Sequence, residues 1–270
     1  MAITKTYQGT EPVRINKWLA QSGICSRREA ETLIGQGAVS IDGETVTSPG
    51  HKISAGQSLT IGGAAQKQLE SRFTAVLNKP VGYVSAQPEG EQVPAARLLT
   101  AANREGRGEV PSSRKSLAPL GRLDADSRGL LLLSDDGVLA KAIIGPDSEL
   151  EKEYVVEVKG RITADRIDRL CHGLELDGRK LKPAKVTKNG PTGLRFVLKE
   201  GRKRQIRRMC ELVGLDVVDL LRIRIGPLEM ASLPPGRWRA LSDDERDAMI
   251  RAAGPKPKPK PRLHPRTPRR

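Results

Sequence analysis

Cysteine, histidine and aromatic side chains are all scarce in this chain, and each shortage narrows what it can be. Three cysteines, Cys25, Cys171 and Cys210, stand far apart and outside any CxxC spacing, which argues against a disulfide scaffold and a zinc ribbon. His51 and His172 are isolated and His264 lies near the end, so no histidine pair offers a metal site. No run of about 18 apolar residues occurs, so no membrane-spanning helix and no membrane partner are expected. The opening MAITKTYQGTEPVRINKW lacks the apolar core of a signal peptide, and a cytoplasmic location is expected. There is no GxGxxG, no phosphate-binding loop and no metal-ligand spacing, so neither a cofactor nor a metal is expected. The 3 Tyr, 2 Trp and 2 Phe among 270 residues are too few for a broad stacking platform. Trp18 and Trp238 sit among apolar neighbours, INKWLA and PPGRWRAL, and read as core.

What the chain has in excess is positive charge. Lys and Arg number 47 against 32 Asp and Glu, a formal +15, and a field of that size attracts polyanions, RNA or DNA first. Part of it lies at the end, where GPKPKPKPRLHPRTPRR carries Lys256, Lys258, Lys260, Arg262, Arg266, Arg269 and Arg270 with no acid. Subtracting those 7 from +15 leaves the body at +8. Such a Pro/Lys segment cannot bury enough apolar surface to fold and is expected to be disordered.

Two folded units are expected. INKWLAQSG puts Ile15, Trp18 and Leu19 on one helical face. Ser26 opens a second helix with Glu29 three residues on, a capping box. Ala30, Leu33 and Ile34 form its stripe, Gly37 ends it, and VSIDGETV reads as strand, Asp42-Gly43 turn and strand. Arg27 and Arg28 occupy the first turn of that helix, where the dipole disfavours cations. They are either a solvated face or a grip on phosphates. GGAAQKQLESR reads as a linker, and FTAVLNKP alternates like a strand opening a second domain near Phe73. EGRGEVPSSRKS, residues 105–116, has no apolar period and reads as a mobile basic loop.

Further on, EYVVEV, LKPAKVTK, GLRFVL and VVDLLRIRI read as strands, and Thr163 caps a helix with Ile167, Leu170, Cys171 and Leu174 on one face. In KRQIRRMCELVG, Ile206, Met209, Cys210 and Val213 face one way and Arg204 and Arg208 the other. Strands dominate, with helices expected on one side of them. The division is an extension 1–12, a small domain 13–62, a linker 63–72, a large domain 73–250 and a basic tail 251–270. No heptad suggests self-association, so a monomer is expected.

The stretch GRLDADSRGLLLLSDDG sets Asp124 and Asp126 between Arg122 and Arg128 just before four leucines. A calcium loop would use Asp124, Asp126, Gly129 and Asp135, but Arg128 falls at a ligand position and repels the ion. A second reading is that the acids merely pair with Arg122 and Arg128, a minor surface interaction. A third is a catalytic carboxylate kept ionised by arginines, its loop anchored by Leu130 to Leu133 on a buried strand.

LNKPVGYVS, GRLDADSRGLLLLSDDG, EKEY and GRKRQIRRM occur in the order and spacing of the RsuA/RluB/RluE/RluF family of RNA pseudouridine synthases, which the chain resembles, and within it the RluF branch. VRINKWLAQSGICSRREAETLIGQGAVSIDGETV resembles the small S-four type RNA-binding domain. The resemblance spans Val13 to about Asp247. Ser127, where threonine is frequent, and Lys203, where asparagine is common, depart from the family wording.

The resemblance implies an α+β chain: an S-four-like RNA-binding domain, then a catalytic domain with a mixed, mainly antiparallel sheet and flanking helices. It implies that Asp124 is the essential catalytic group and that Asp126 is scaffolding. Tyr154 would stack on the target uracil, and Arg207 would pair with Asp124. The Lys79-Pro80 turn with Gly82 would shape the cleft floor. Isomerising uridine breaks the N-glycosidic bond, turns the base and rejoins it through carbon, so no atom is gained or lost. Reaching the base requires flipping it from the stack. Arg14, Lys17, Arg27, Arg28, Arg122, Arg128, Lys152, Arg202, Arg204 and Arg208 are the candidate RNA contacts, with Arg222 and Arg224 further cations to weigh. The expected substrate is ribosomal RNA, 23S first, free or in an assembling subunit. A 16S-specific relative, a non-enzymatic assembly factor and a metal-dependent nuclease built on Asp124, Asp126, Asp135 and Asp136 are the alternatives.

Overall fold

The structure, a computed structural model, describes residues 2–85, 88–112 and 115–254. The small domain packs helices α1 (Ile15–Gln21) and α2 (Arg27–Gly35) on a four-stranded sheet. That sheet runs β1 (Ile3–Thr6), β4 (Ser58–Ile61), β2 (Val39–Ile41) and β3 (Glu44–Thr45) in spatial order. The expected capping box is formed: Ser26 Oγ accepts from Glu29 N, and Glu29 returns a carboxylate oxygen to Ser26 N. Ile15, Trp18, Leu19, Leu33 and Ile34 are buried together, and Trp18 is core as read. Asp42 and Gly43 both take positive φ, the left-handed pair that a tight hairpin needs.

Two boundary readings are corrected. The extension 1–12 supplies β1, which pairs with β4 from Ile3–Ile61 to Thr6–Ser58. The linker 63–72 is helix α3 (Gly63–Glu70), because its alanines favour helix and Ala65 and Leu69 find the small domain's core.

The large domain is a nine-stranded sheet whose main path is β8 (Lys185–Lys188), β9 (Gly193–Leu198), β7 (Lys152–Lys159), β10 (Asp216–Ile225), β6 (Arg128–Ser134), β5 (Thr74–Lys79) and β11 (Trp238–Ala240). Along this path only β6 and β10 pair parallel, so the sheet is mixed and mainly antiparallel. Helices lie on both faces, not one. On one face α5 (Ala164–Cys171) and α6 (Gln205–Leu212) bury Leu170, Ile206, Met209 and Cys210. On the other α4 (Gly137–Ile144) and α7 (Asp243–Ala253) bury Leu139, Ile143 and Met249.

The four leucines explain this double layer. Successive strand residues point to opposite faces, so Leu131 and Leu133 enter the first core while Leu130 and Leu132 enter the second. A strand covered on both sides reads as a continuous apolar run rather than an alternation. Helices α4 and α7 escaped the sequence reading although both carry start signals. Asp136 accepts from Val138 N and Leu139 N, and Ser242 with Glu245 forms a second capping box. Helix α7 runs to Ala253, past the boundary set at 250. The described part of loop 105–116 has no helix or strand; the basic tail from 255 lies outside the described residues.

Gly129 sits where β6 meets β10, at φ +107°. A Cβ there would stand 2.3 Å from Arg222 O and 2.8 Å from Arg222 N, both backbone atoms of the paired strand. Gly129→Ala is therefore expected to lower unfolding free energy by more than about 2 kcal/mol through strain and forced strand separation. A shift in the denaturant midpoint measures it.

Candidate active site

The loop before β6, residues 120–127, is held from three sides. Ser85 Oγ donates to Leu123 O at 2.6 Å and accepts from Leu123 N at 2.8 Å. Gly82 N, at the turn after Pro80, donates to Ala125 O at 2.8 Å. The guanidinium of Arg222, 2% exposed, donates to the carbonyls of Leu130 (2.7 Å), Gly121 (3.0 Å) and Arg122 (3.4 Å). A buried arginine bonded to carbonyls rather than a carboxylate is a costly arrangement kept for rigidity of the loop.

Within this loop the two aspartates have different surroundings. Ser127 N bonds back to Asp124 O, a tight turn across the intervening residues. Asp126 accepts from Arg204 Nη1 at 3.0 Å and lies 3.3 Å from Arg207 Nε. Burial works against its ionisation, but the hydrogen bond from Arg204 and the charges of Arg207 and Arg204 outweigh that and hold its carboxyl below the usual range. Arg207 also donates to Asp126 O and Val217 O. The expected Arg207–Asp124 pair is thus replaced by Arg207–Asp126, because the guanidinium is fixed by backbone carbonyls on the Asp126 side of the turn. The carboxylate of Asp124 has no hydrogen bond or ion pair among the described residues. Arg204 itself holds a left-handed φ of 51° at the N-cap of α6.

A buried cation near both aspartates is Lys79, which the NKP motif presents as a structural turn residue. Lys79 is fully buried, its Nζ donating to Pro80 O and Tyr83 O at 2.9 and 2.8 Å. Burial pulls it down to about 8, against the upward pull of Asp126 and Asp124 and with a further push down from Arg222. An NKP turn alone does not announce a buried charge; only the packing does.

Asp124, Tyr154 and Arg207 line one cleft of about 890 Å³, with Arg122, Lys152, Arg202 and Arg204 around it. Tyr154 is buried on β7 next to a register shift between Glu153 and Tyr154, a bulge that aims its ring into the cleft. Burial and the charges of Arg222 and Lys182 lower the pKa of Lys152. Arg202 donates to the carbonyls of Leu176, Arg179 and Lys180, so it ties a neighbouring hairpin to the cleft wall. Two proposed contacts are engaged elsewhere: Arg128 clasps Asp219 and Arg208 clasps Asp177 with two guanidinium nitrogens each. Arg224 is bound to Glu153 and Glu151. Arg14, Lys17, Arg27 and Arg28 lie in the small domain, exposed and without side-chain partners among the described residues.

The acids do not converge on a metal. Asp135 accepts from Phe73 N and pairs with Lys115, while Asp136 caps α4 and pairs with Arg246. Among the described residues no group of three or more His, Cys, Asp or Glu is placed to hold an ion. Cys210 is buried and its thiol pushed up to about 12 by that burial, so it is no nucleophile. What remains in the loop before β6 is the Asp124 carboxylate, unpaired among the described residues, on a basic cleft that Tyr154 also lines.

The buried Lys79 has a measurable signature. Its folded-state value lies below the unfolded 10.5, so between about 8 and 10.5 the unfolded chain binds more protons and stability rises with pH. Relative to Lys79→Met, the wild-type unfolding free energy is expected to gain on the order of 3 kcal/mol across that window. Denaturant titrations of both proteins at several pH values read it.

Comparison with known proteins identifies the family. The family described as RNA pseudouridylate synthase matches residues 74–212, and the S4 domain matches residues 13–59. The dual-specificity RNA pseudouridine synthase RluF of Escherichia coli K12 is 36% identical over 260 residues, 94% of this chain and 85% of that protein. An uncharacterized RNA pseudouridine synthase of Aquifex aeolicus is 34% identical over 93% of this chain and 98% of its own length. A crystal structure of a pseudouridylate synthase superposes with a TM-score of 0.61 at 28% identity, covering 88% of this chain and 99% of that one. No described helix is long and apolar enough to cross a membrane. With an S4 match at residues 13–59 ahead of a synthase match at residues 74–212, the chain belongs to the RNA pseudouridine synthase family, among the relatives of RluF.

Proposed function

We propose that this isomerase converts a uridine of ribosomal RNA, in the 23S molecule, to pseudouridine, acting in the cytoplasm as a monomer, with Asp124 as the reacting group. The observation that carries the reading is the unpaired Asp124 carboxylate, set at the cleft with Tyr154 while its neighbour Asp126 is occupied by two arginines. Names of the RluF relatives support the RNA substrate, and the exposed cations Arg14, Lys17, Arg27, Arg28 and Arg122, unpartnered among the described residues, supply a path for phosphates.

In this reading the target nucleotide leaves its stack, at a cost of about a few kcal/mol when paired, and its base lies against Tyr154. Asp124 then acts on the sugar or the base as the N1–C1′ bond breaks. The uracil turns, C5 bonds to C1′, the hydrogen on C5 leaves and N1 gains one. Every atom is conserved. The buried Lys79 and the arginines held by Asp126 add positive charge at the site, which draws RNA in.

The test is ribosomal RNA tritiated at uracil C5, incubated in chelator without added cofactor. Wild type should release tritium and Asp124→Asn should release none, with RNA affinity changed by no more than about threefold. Tight binding without release from naked 23S RNA or large subunits would instead make the protein a non-enzymatic assembly factor. The same assay on transfer RNA reads a second specificity. Asp126→Asn keeps the size of the side chain but loses the charge that fixes Arg204 and Arg207, so kcat should fall about tenfold with KM within about threefold; single-turnover kinetics separate the two.

A further inference from the structure

The two domains meet at a joint made of two capped helix N-termini. Gly137, the first residue of α4, lies against the first turn of α2. A Cβ there would stand 2.4 Å from Ser26 Cβ and Oγ and 2.5 Å from Glu29 Oε2. Neither neighbour is free to retreat. Ser26 Oγ accepts from Glu29 N, and Glu29 Oε2 accepts from Ser26 N at 2.6 Å, so moving either opens the capping box of α2.

Charge closes the joint as well as shape. Glu29 Oε1 takes Arg72 Nε at 3.0 Å, and Arg72 Nη2 donates to Ile24 O in the small domain. Arg72 Nη1 is 3.9 Å from Asp136 Oδ1, with the two side chains 12% and 1% exposed. Asp136 caps α4 through the same oxygen and takes Arg246 of α7 on the other. The N-terminal dipoles of α2 and α4 repel where they meet, and Glu29 and Asp136 offset that repulsion.

This joint stands at one end of β6, and Asp124 just beyond the other. The seven strand residues Arg128–Ser134, all but Arg128 buried, lie between them, roughly 23 Å of chain. Arg27 and Arg28, exposed and unpartnered among the described residues, follow Ser26 directly. We propose that the Ser26–Glu29–Arg72–Gly137 joint is a specificity-determining ruler: it clamps the RNA-binding domain at a fixed offset from Asp124, so that the RNA element gripped by the small domain dictates which uridine is isomerised. The enzymatic part of this inference rests on the synthase reading; the mechanical part does not.

The test is Gly137→Ala in the full-length chain. Gly137 has no positive φ, and alanine favours a helix, so a merely local effect would leave the chain equally or more stable. The ruler predicts that wild type melts in one cooperative transition and Gly137→Ala in two, with an increased radius of gyration in solution scattering. On a 23S RNA transcript, pseudouridine at the wild-type position should fall about tenfold or more, with new positions modified at detectable levels. Arg72→Gln, which adds no bulk, should act in the same direction and covers the case in which Gly137→Ala does not fold. Two transitions in wild type, or both variants melting as one unit and modifying the same uridine at the wild-type rate, would overturn it. If wild type modifies no 23S uridine, the substrate reading fails and the melting and scattering still decide the joint.

Discussion

Burial of β6 on both faces is the constraint from which the rest of the large domain follows. Leu130 and Leu132 need one apolar layer and Leu131 and Leu133 another, so helices must cover the sheet twice. A strand so enclosed is immobile, and the loop that leads into it inherits that rigidity. Arg222 extends it, bonding to Leu130 O within the strand and to Gly121 O and Arg122 O in the loop. A reactive carboxylate is useful only where its position is fixed before the substrate arrives. Here position comes from leucine packing and a buried guanidinium, elements that take no part in the chemistry.

Electrostatics then separates two carboxylates two residues apart. Asp126 gathers Arg204 and Arg207 and is held ionised by them, anchoring the start of α6 to the loop. Asp124 has no side-chain partner among the described residues, and its charge pulls the pKa of the buried Lys79 upward. One acid serves the architecture and the other remains available. The acidic pair in a strongly basic chain is therefore no contradiction: Arg204 and Arg207 are the partners of the scaffold acid and hold its carboxyl below the usual range.

The family resemblance carried by GRLD, KEY and QIR implied one site for Asp124, Tyr154 and Arg207, and all three line one cleft. Which acid Arg207 would take was not legible, since the choice depends on a turn closed by Ser127 N on Asp124 O and on carbonyls contributed by Asp126 and Val217. Arg128 and Arg208 looked like RNA contacts for the same reason: their partners Asp219 and Asp177 are 91 and 31 residues away in sequence. In the fold, alternation and capping revealed α2, α5, β7 and β9, while α4 was hidden behind SDDG, which resembles a turn until Asp136 is seen capping the helix. The stretch 63–72 was polar enough to pass for a linker, and its helix owes its existence to Ala65 and Leu69 meeting the small domain's core.

The division of labour between the two aspartates is tested most directly by a crystal structure of the Asp124→Asn protein bound to its RNA. The account predicts a flipped uridine stacked on Tyr154, its C1′ against residue 124, with Asp126 still holding Arg204 and Arg207. A uridine seated against Asp126, or one left in its stack with the cleft vacant, would contradict it.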